Sequence, residues 1–148
     1  MSNKAETISE IQTYLRNAGL RSTTPRVAVL RVLLSAQQPM SHSDLATSLD
    51  SEGHDKTTIF RNLTDLTEAK LLTRIDVGDH IWRFEIRRDY SRDGSNHAHF
   101  VCTDCGDVDC LPDFDLKVSP KTNSKSAKVG NVSEILLKGH CGDCEENA

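Results

Sequence analysis

Apolar side chains recur at helical spacing in the first half of the chain. Ile8, Ile11, Leu15 and Ala18 follow one another at steps of three and four residues, and Gly19 is a natural stop, so the pattern predicts an amphipathic helix. Three more helices are predicted on the same grounds. Their expected core positions are, in order, Val27, Leu30, Leu33 and Leu34; Leu45, Ala46 and Leu49; and Ile59, Leu63, Leu66 and Ala69.

Capping signals mark where the second and third helices begin. Thr23 or Thr24 precedes Pro25, whose missing N–H costs nothing in the first turn of a helix. Residues 41–44, Ser-His-Ser-Asp, have the capping-box pattern that opens the third helix, and Gly53 is expected to end it.

Two strand-like runs follow the fourth predicted helix, which starts near Asp55 or Thr57. The runs cover residues 71–77 and 81–86, and the Gly-Asp pair at 78–79 is a turn signal between them. Helices followed by a β-hairpin are typical of a winged helix, which is a helix-turn-helix with a pair of strands appended. We therefore predict a winged helix-turn-helix domain.

The rest of the chain has a different pattern. Residues 89–96 are polar and poor in core side chains, which predicts a hinge, and strand-like runs follow at 99–102, 108–111 and 132–138. The predicted fold class is α+β. Its three predicted segments are a winged-helix domain over 1–88, the hinge over 89–96 and a smaller α/β domain over 97–148.

Charge and hydropathy bear on two classes of function, nucleic-acid binding and membrane proteins. The 148 residues carry a net charge of −4, but residues 1–88 have 12 Lys and Arg against 11 Asp and Glu, a net of +1, and residues 89–148 have 6 against 11, a net of −5. This asymmetry predicts two parts with different tasks, and it leaves a nucleic-acid partner open for the first part. No apolar run approaches the ~20 residues that cross a bilayer, and no secretory signal is visible, which predicts a cytoplasmic protein without a membrane partner.

The five cysteines suit metal binding better than a disulfide framework in a cytoplasmic chain. Two C-x-x-C pairs, Cys102 with Cys105 and Cys141 with Cys144, are 35 residues apart. This spacing lets both thiolates of a pair reach one ion at ~2.3 Å, and two pairs complete a tetrahedron, so the pattern predicts a structural zinc. Two disulfides, or unrelated thiols, are the alternatives. The glycines that follow a cysteine in each pair are expected in tight turns: Gly106 and Gly142.

Two histidines and the fifth cysteine lie close to the first pair in the sequence. On a strand, His97 and His99 would share a face, and Cys110 follows Cys105 by five residues. A His-x-His pair alone is more often exposed than metal-bound, and the nearby thiol makes a second metal site an equal alternative.

The fourth helix is expected to expose polar side chains near its N-terminus. Recognition helices present such side chains to bases and phosphates in the major groove, and arginines elsewhere contact the DNA backbone. An ordinary solvated helix is the alternative, but an exposed Phe60 and the hairpin that follows favour DNA. The candidates are Lys56, Thr57, Thr58, Phe60, Arg61 and Thr64 on the helix, and Arg21, Arg26 and Arg83 around it.

Four motifs, in this order and spacing, give the chain a family resemblance. They are Gly-Leu-Arg-Ser-Thr-Thr-Pro-Arg at 19–26, Thr-Thr-Ile-Phe-Arg-Asn-Leu at 57–63, Arg-Phe-Glu at 83–85 and His-Ala-His-Phe-Val-Cys-Thr-Asp-Cys-Gly at 97–106. Nearly the whole chain resembles the ferric uptake regulator family of metal-dependent bacterial repressors. The resemblance implies a homodimer with an N-terminal winged helix and a C-terminal α/β dimerisation domain, which binds palindromic operators when a regulatory metal is loaded.

The resemblance also implies roles for individual residues. Glu85, His97 and His99 match regulatory-metal ligands, and Cys110 falls where the family usually has an acidic ligand. Phe60 matches a position that is normally Tyr. The structural zinc ligands implied are Cys102, Cys105, Cys141 and Cys144, and the DNA-facing set includes Phe60, Arg61 and Arg26.

Three departures from the family pattern change these expectations. Pro39 replaces the histidine that many relatives supply before the third helix, and His42 lies three residues on. Ser133 or a neighbour replaces a histidine expected before the last cysteine pair, so the accessory metal site is predicted to be missing. Residues 119–128 form a polar segment, which predicts a shortened or missing dimerisation helix and puts the usual dimer interface in doubt.

The predicted function is metal-responsive transcription regulation, as a repressor of metal-homeostasis or stress genes. The regulatory ion is expected to be Zn²⁺ or Fe²⁺, because a thiolate ligand is soft and disfavours harder ions such as manganese. The alternative is a zinc-stabilised redox switch that senses peroxide through Cys110 or the cysteine pairs. No hydrolytic zinc motif such as H-E-x-x-H occurs, and no enzyme activity is expected.

Overall fold

The computed structural model describes residues 7–87, 98–111, 114 and 134–147. The chain divides into two compact units, Met1–Arg88 and Asp89–Ala148. In the first unit, β1, β3 and β2 form an antiparallel sheet in that order. The elements of this unit are α1 (Ile8–Asn17), α2 (Thr24–Ser35), β1 (Met40–Ser41), α3 (His42–Ser48), α4 (Lys56–Glu68), β2 (Leu72–Asp76) and β3 (Trp82–Ile86).

A side-chain capping box explains where α3 starts, and a proline in the first turn marks the start of α2. The Ser41 hydroxyl accepts from the backbone N–H of Asp44 at 3.1 Å, and the Asp44 carboxylate accepts from the backbone N–H of Ser41 at 2.9 Å. This confirms the capping box predicted for the third helix. Pro25 lies in the first turn of α2, as predicted, with Thr23 as the N-cap residue.

The end of α3 differs from the prediction. The helix ends at Ser48, and a separate 3₁₀ turn, Asp50–Glu52, leads to Gly53, which adopts a left-handed φ of 76°. Gly53 therefore caps the 3₁₀ turn rather than the helix. The two-residue strand β1, which pairs with Arg83 and Phe84, was not predicted because two residues carry no periodicity.

One continuous apolar core holds the first unit together, and most of it lies at the predicted positions. The exceptions have simple causes. Ile8 is 57% exposed because it is the first residue of α1 and precedes Ile11 and Leu15, the residues by which the helix packs on the core. Ala28 and Val29 are buried although neither was predicted, since α2 is apolar around most of its circumference. The largest fully buried side chains of this core are Ile11, Leu15, Val29, Leu30, Leu45, Leu49, Ile59, Leu63 and Leu66.

The second unit is built on a small mixed sheet. Its elements are β4 (Ala98–Cys102), β5 (Val108–Leu111), β6 (Leu136–Gly139) and α5 (Gly142–Glu146). β4 lies in the centre, antiparallel to β5 and parallel to β6. The third predicted strand thus begins at Leu136, later than expected. Gly142 starts a helix instead of forming a tight turn, because Cys141 is extended and serves as the helix N-cap.

The predicted α+β class is confirmed, with helices and an antiparallel hairpin in the first unit and a mixed sheet in the second. The predicted hinge 89–96, His97, Ser133 and the segment 119–128 lie outside the described residues. Among the described helices, none combines the length and the apolar character that crossing a membrane requires.

Candidate metal centre and nucleic-acid interface

The first cysteine pair occupies the turn between β4 and β5. Cys102 is the last residue of β4 and is buried, and its carbonyl accepts from the N–H of Gly106 at 3.0 Å. Gly106 has a φ of 77°, a left-handed conformation that favours glycine. The tight turn predicted after this pair is confirmed, and it presents Cys102 and Cys105 from the end of the sheet.

The second pair reaches the same place from β6. Cys141 follows the strand and caps α5, and Cys144 lies one turn into that helix. The N–H of Thr103 donates to the carbonyl of Gly139 at 2.8 Å, which extends the β4–β6 pairing into the first turn. The N–H of Cys141 lies 3.4 Å from the Cys102 sulfur. Parallel pairing of β4 and β6 thus brings both cysteine pairs to one sheet edge.

The four sulfurs have the spacing of a zinc tetrad. All four Sγ atoms lie within 4.8 Å of one another, and those of Cys105 and Cys141 are 3.9 Å apart. A tetrahedron with ~2.3 Å Zn–S bonds has sulfurs separated by about 3.8 Å. A disulfide needs about 2.0 Å, and none of the four cysteines forms one. Four thiol ligands, with no carboxylate among them, fit Zn²⁺.

The protonation of the tetrad also fits a cation. Backbone N–H groups of Cys105 and Cys141 lower the pKa of Cys102 to about 6. The sulfurs of Cys141 and Cys102 raise the pKa of Cys144 to about 12. The thiolate form is therefore favoured at Cys102, while the raised pKa values of Cys105 and Cys144 favour their protonated forms, because clustered negative charges repel. A divalent ion held by these four cysteines would offset this repulsion and favour their thiolate forms.

A polar contact links the residues beside the two cysteine pairs. Asp104 lies inside the first pair and His140 directly precedes the second, and the His140 Nδ1 atom is 3.2 Å from an Asp104 carboxylate oxygen. Both side chains are about half exposed. The spacing of the cysteines did not predict this contact, because it depends on how β4 and β6 are aligned.

The predicted regulatory ligands are described in part. His99 of β4 is directly opposite Cys110 of β5, so the two side chains emerge on the same face of the sheet. His99 is buried and Cys110 is half-buried. Glu85 belongs to the first unit, where it lies in β3 opposite Thr73 and is half-buried. His97 lies outside the described residues.

The predicted DNA-facing residues of α4 lie on its solvent side. Asp55 is the N-cap residue, and its carboxylate accepts from the Thr58 N–H at 2.8 Å and from the Thr58 hydroxyl at 3.0 Å. The N–H of Thr58 is the largest of the effects that lower the pKa of Asp55. Phe60 is 57% exposed, and Thr58 is half-buried. The other exposed positions toward this end are Lys56, Thr57, Arg61 and Thr64.

The three predicted arginines outside α4 have different surroundings. Arg83 of β3 pairs with the Asp79 carboxylate at 2.8 Å. Arg21 is exposed in the connection between α1 and α2. Arg26 of α2 is 17% exposed, and its guanidinium donates to the Arg21 carbonyl at 3.0 Å and to the Asp65 carboxylate at 2.9 Å. Asp65 lies in α4, so Arg26 ties α2 to the candidate recognition helix. An arginine has five donors, and donors of its terminal nitrogens remain for a phosphate.

Comparison with known proteins identifies the family. The model of the Ferric uptake regulator family matches residues 17–136. The chain belongs to this family. The Ferric uptake regulation protein of Bordetella parapertussis is 31% identical over an alignment of 141 positions, which covers 91% of this chain and 96% of the relative. The protein of the same name from Escherichia coli K12 is 30% identical over an alignment of 151 positions, which covers 95% of each chain.

Solved structures agree with this membership. The structure of the ferric uptake regulator from Pseudomonas aeruginosa with manganese has a TM-score of 0.63 at 27% identity and covers 89% of this chain and 98% of its own. A zinc uptake regulator complexed with zinc and DNA has a TM-score of 0.59 at 18% identity, with 95% and 93% covered, and shares the fold. The span matched by the family model ends before Cys141, so the geometry of the sulfurs carries the assignment of the second cysteine pair.

Proposed function

We propose that this chain is a metal-dependent transcriptional repressor that binds palindromic operator DNA as a homodimer in the cytoplasm. The observation that carries the proposal is the exposed N-terminal face of α4 in a winged helix-turn-helix unit of the ferric uptake regulator family. The proposed major-groove contacts are Thr57, Thr58, Phe60 and Arg61. Arg21 and Arg26 are the proposed contacts to phosphates.

One structural Zn²⁺ per chain is proposed to bind the tetrad, which consists of Cys102, Cys105, Cys141 and Cys144. The spacing of the sulfurs and the all-thiol donor set support zinc over harder ions. A zinc ion in the tetrad would fasten the β4–β5 turn to the start of α5 and so stabilise a sheet of three short strands.

A second divalent ion, Zn²⁺ or Fe²⁺, is proposed as the regulatory metal. Its proposed ligands are Glu85, His97, His99 and Cys110, and the opposition of His99 and Cys110 across β4 and β5 supports two of them. Ligands from both units would make binding favour one arrangement of those units. Two recognition helices of a dimer would then be set ~34 Å apart, one turn of DNA.

A metal titration of DNA binding tests this function. The chain, purified with its zinc content measured, is used to enrich duplexes from a randomised pool with and without added Zn²⁺ or Fe²⁺. We expect a palindromic sequence to be enriched when the second ion is present, and metal analysis to show about one tightly held zinc per chain.

Single substitutions distinguish the regulatory metal site from the structural zinc site. The response of DNA binding to metal and to peroxide distinguishes a metal-dependent regulator from a redox switch. We expect His99→Ala and Cys110→Ser to abolish metal-dependent DNA binding and to keep the tightly held zinc. His54→Ala serves as the control, because His54 lies outside both proposed metal sites. Binding that ignores metal and disappears with peroxide would instead support a redox switch. No enrichment of DNA under any metal would refute the regulator.

A further inference from the structure

His42 connects the two helices of the helix-turn-helix. It is the first residue of α3, and its Nε2 atom is 2.8 Å from the backbone carbonyl oxygen of Lys56, the first residue of α4. Its ring also meets the ring of Phe60 edge to face, with centroids 5.8 Å apart and planes at 84°. One side chain of α3 therefore contacts two successive turns of the candidate recognition helix.

The hydrogen bond has a defined direction. A carbonyl oxygen only accepts, so the Nε2 atom of His42 must carry a hydrogen and donate it to Lys56. Inside a helix the same carbonyl also accepts from the N–H four residues on, which is that of Phe60. His42 thus binds the backbone at the turn that carries the Phe60 side chain.

Phe60 is the side chain whose position needs such support. It is 57% exposed, so the core of the unit does not fix its rotamer. Edge-to-face contact with the His42 ring restrains it from one side and leaves the rest of the ring open. A side chain that is restrained before binding loses less conformational entropy when it meets a ligand.

We propose that His42 is a positioning residue for DNA recognition, which holds the N-terminal turns of α4 and the exposed ring of Phe60 in the orientation that binds operator DNA. This inference rests on the proposed function. His42 acts through Lys56 and Phe60, and its own contact with DNA is not required. The alternative is that His42 only helps α3 pack on α4, in which case its loss would lower stability and leave DNA affinity unchanged.

The test compares variants that remove one or both contacts. The probe is the duplex enriched by the wild-type chain loaded with Zn²⁺, and each variant is measured for affinity by fluorescence anisotropy and for its thermal midpoint. His42→Ala should weaken binding roughly five- to tenfold, since it loses both a hydrogen bond and a ring contact. His42→Gln keeps a donor for Lys56 and should lose roughly two- to threefold. Thr47→Ala, an exposed change in the same helix, is the matched control and should bind like the wild type.

A double-mutant cycle separates positioning from packing. If His42 acts in part through Phe60, then His42→Ala should cost clearly less affinity in a Phe60→Ala background than in the wild type, and only the loss of the Lys56 hydrogen bond should remain. An equal loss in both backgrounds would overturn the inference, as would wild-type affinity in His42→Ala. Should the alanine variant not fold, the cycle is run with His42→Gln, whose smaller loss must likewise shrink in the Phe60→Ala background. Failure of the wild type to enrich any duplex would instead refute the proposed function itself.

Discussion

The four tetrad cysteines work as a unit, because each sulfur lies close to the other three. In the proposed zinc site, removing one ligand would leave three thiols around an incomplete coordination sphere. We expect Cys144→Ser to reduce the zinc that survives dialysis against a mild chelator from about one ion per chain to nearly none. Metal analysis by mass spectrometry measures this. Cys110→Ser, a cysteine outside the tetrad, is the matched control, and retention of zinc by Cys144→Ser would show that the tetrad is not the structural site.

Asp55 provides a second residue-level prediction, through acid stability. Its carboxylate caps α4, and the Thr58 N–H is the main cause of a pKa below the ordinary value of 3.8. A carboxyl whose pKa is lower in the folded state stabilises the fold above its unfolded pKa, and this stabilisation is lost as the pH falls through the folded pKa.

Asp55→Ala should therefore lower the thermal midpoint by a few degrees at pH 7. The difference from wild type should shrink as the pH falls below about 4. Thermal unfolding followed by circular dichroism over this pH range measures it. Glu68→Ala, an exposed acid at the other end of α4, is the control and should show no such trend. A constant difference at all pH values would contradict the capping role.

At the level of the element, α4 divides its two tasks between two faces. Ile59, Leu63 and Leu66 are fully buried against the core, while Phe60 and Arg61 are exposed. The buried face holds the helix in the unit, and the exposed face carries the proposed DNA contacts. Substitutions on the two faces should therefore affect different measurements.

Arg61→Ala is expected to weaken operator binding by about tenfold or more, because a lost base or phosphate contact costs about 1–3 kcal/mol. Its free energy of unfolding should stay within about 0.5 kcal/mol of the wild type, as is usual for exposed positions. Leu63→Ala is the contrasting variant, and its unfolding free energy should fall by about 2–5 kcal/mol. Fluorescence anisotropy and urea unfolding give the two quantities. An Arg61→Ala chain that binds normally would exclude this face from the interface.

For the whole molecule, the division into two units predicts a local response to metal loss. All four tetrad cysteines belong to the second unit, and the large apolar core belongs to the first. Chelation of zinc should raise hydrogen exchange in peptides covering 98–111 and 134–147 and leave those of α2 unchanged. Hydrogen-exchange mass spectrometry tests this, with the zinc-replete chain as reference. Equal deprotection of both units would show that zinc supports the fold as a whole.

Much of the fold could be predicted because its determinants are local. The periodicity of Ile59, Leu63 and Leu66 reports the buried face of a helix directly, and the capping box at 41–44 marks a start that depends on adjacent residues. The C-x-x-C spacing is likewise a property of one turn, so the hypothesis that each pair contributes two metal ligands needs only the sequence. The end of α3 was predicted wrongly because a 3₁₀ turn and a helix C-terminus carry similar local signals.

The remaining features depend on contacts between distant segments, which no local pattern encodes. That the two cysteine pairs meet follows from the parallel register of β4 with β6, and that His99 is opposite Cys110 follows from the antiparallel register of β4 with β5. The contact of His42 with Phe60 depends on the angle at which α3 packs on α4. Residue types and their spacing were therefore sufficient for the fold class, and they supplied the hypotheses of a recognition helix and of a zinc site. Strand register and helix packing determined which side chains meet. Both result from burial of the whole core, which no local pattern encodes.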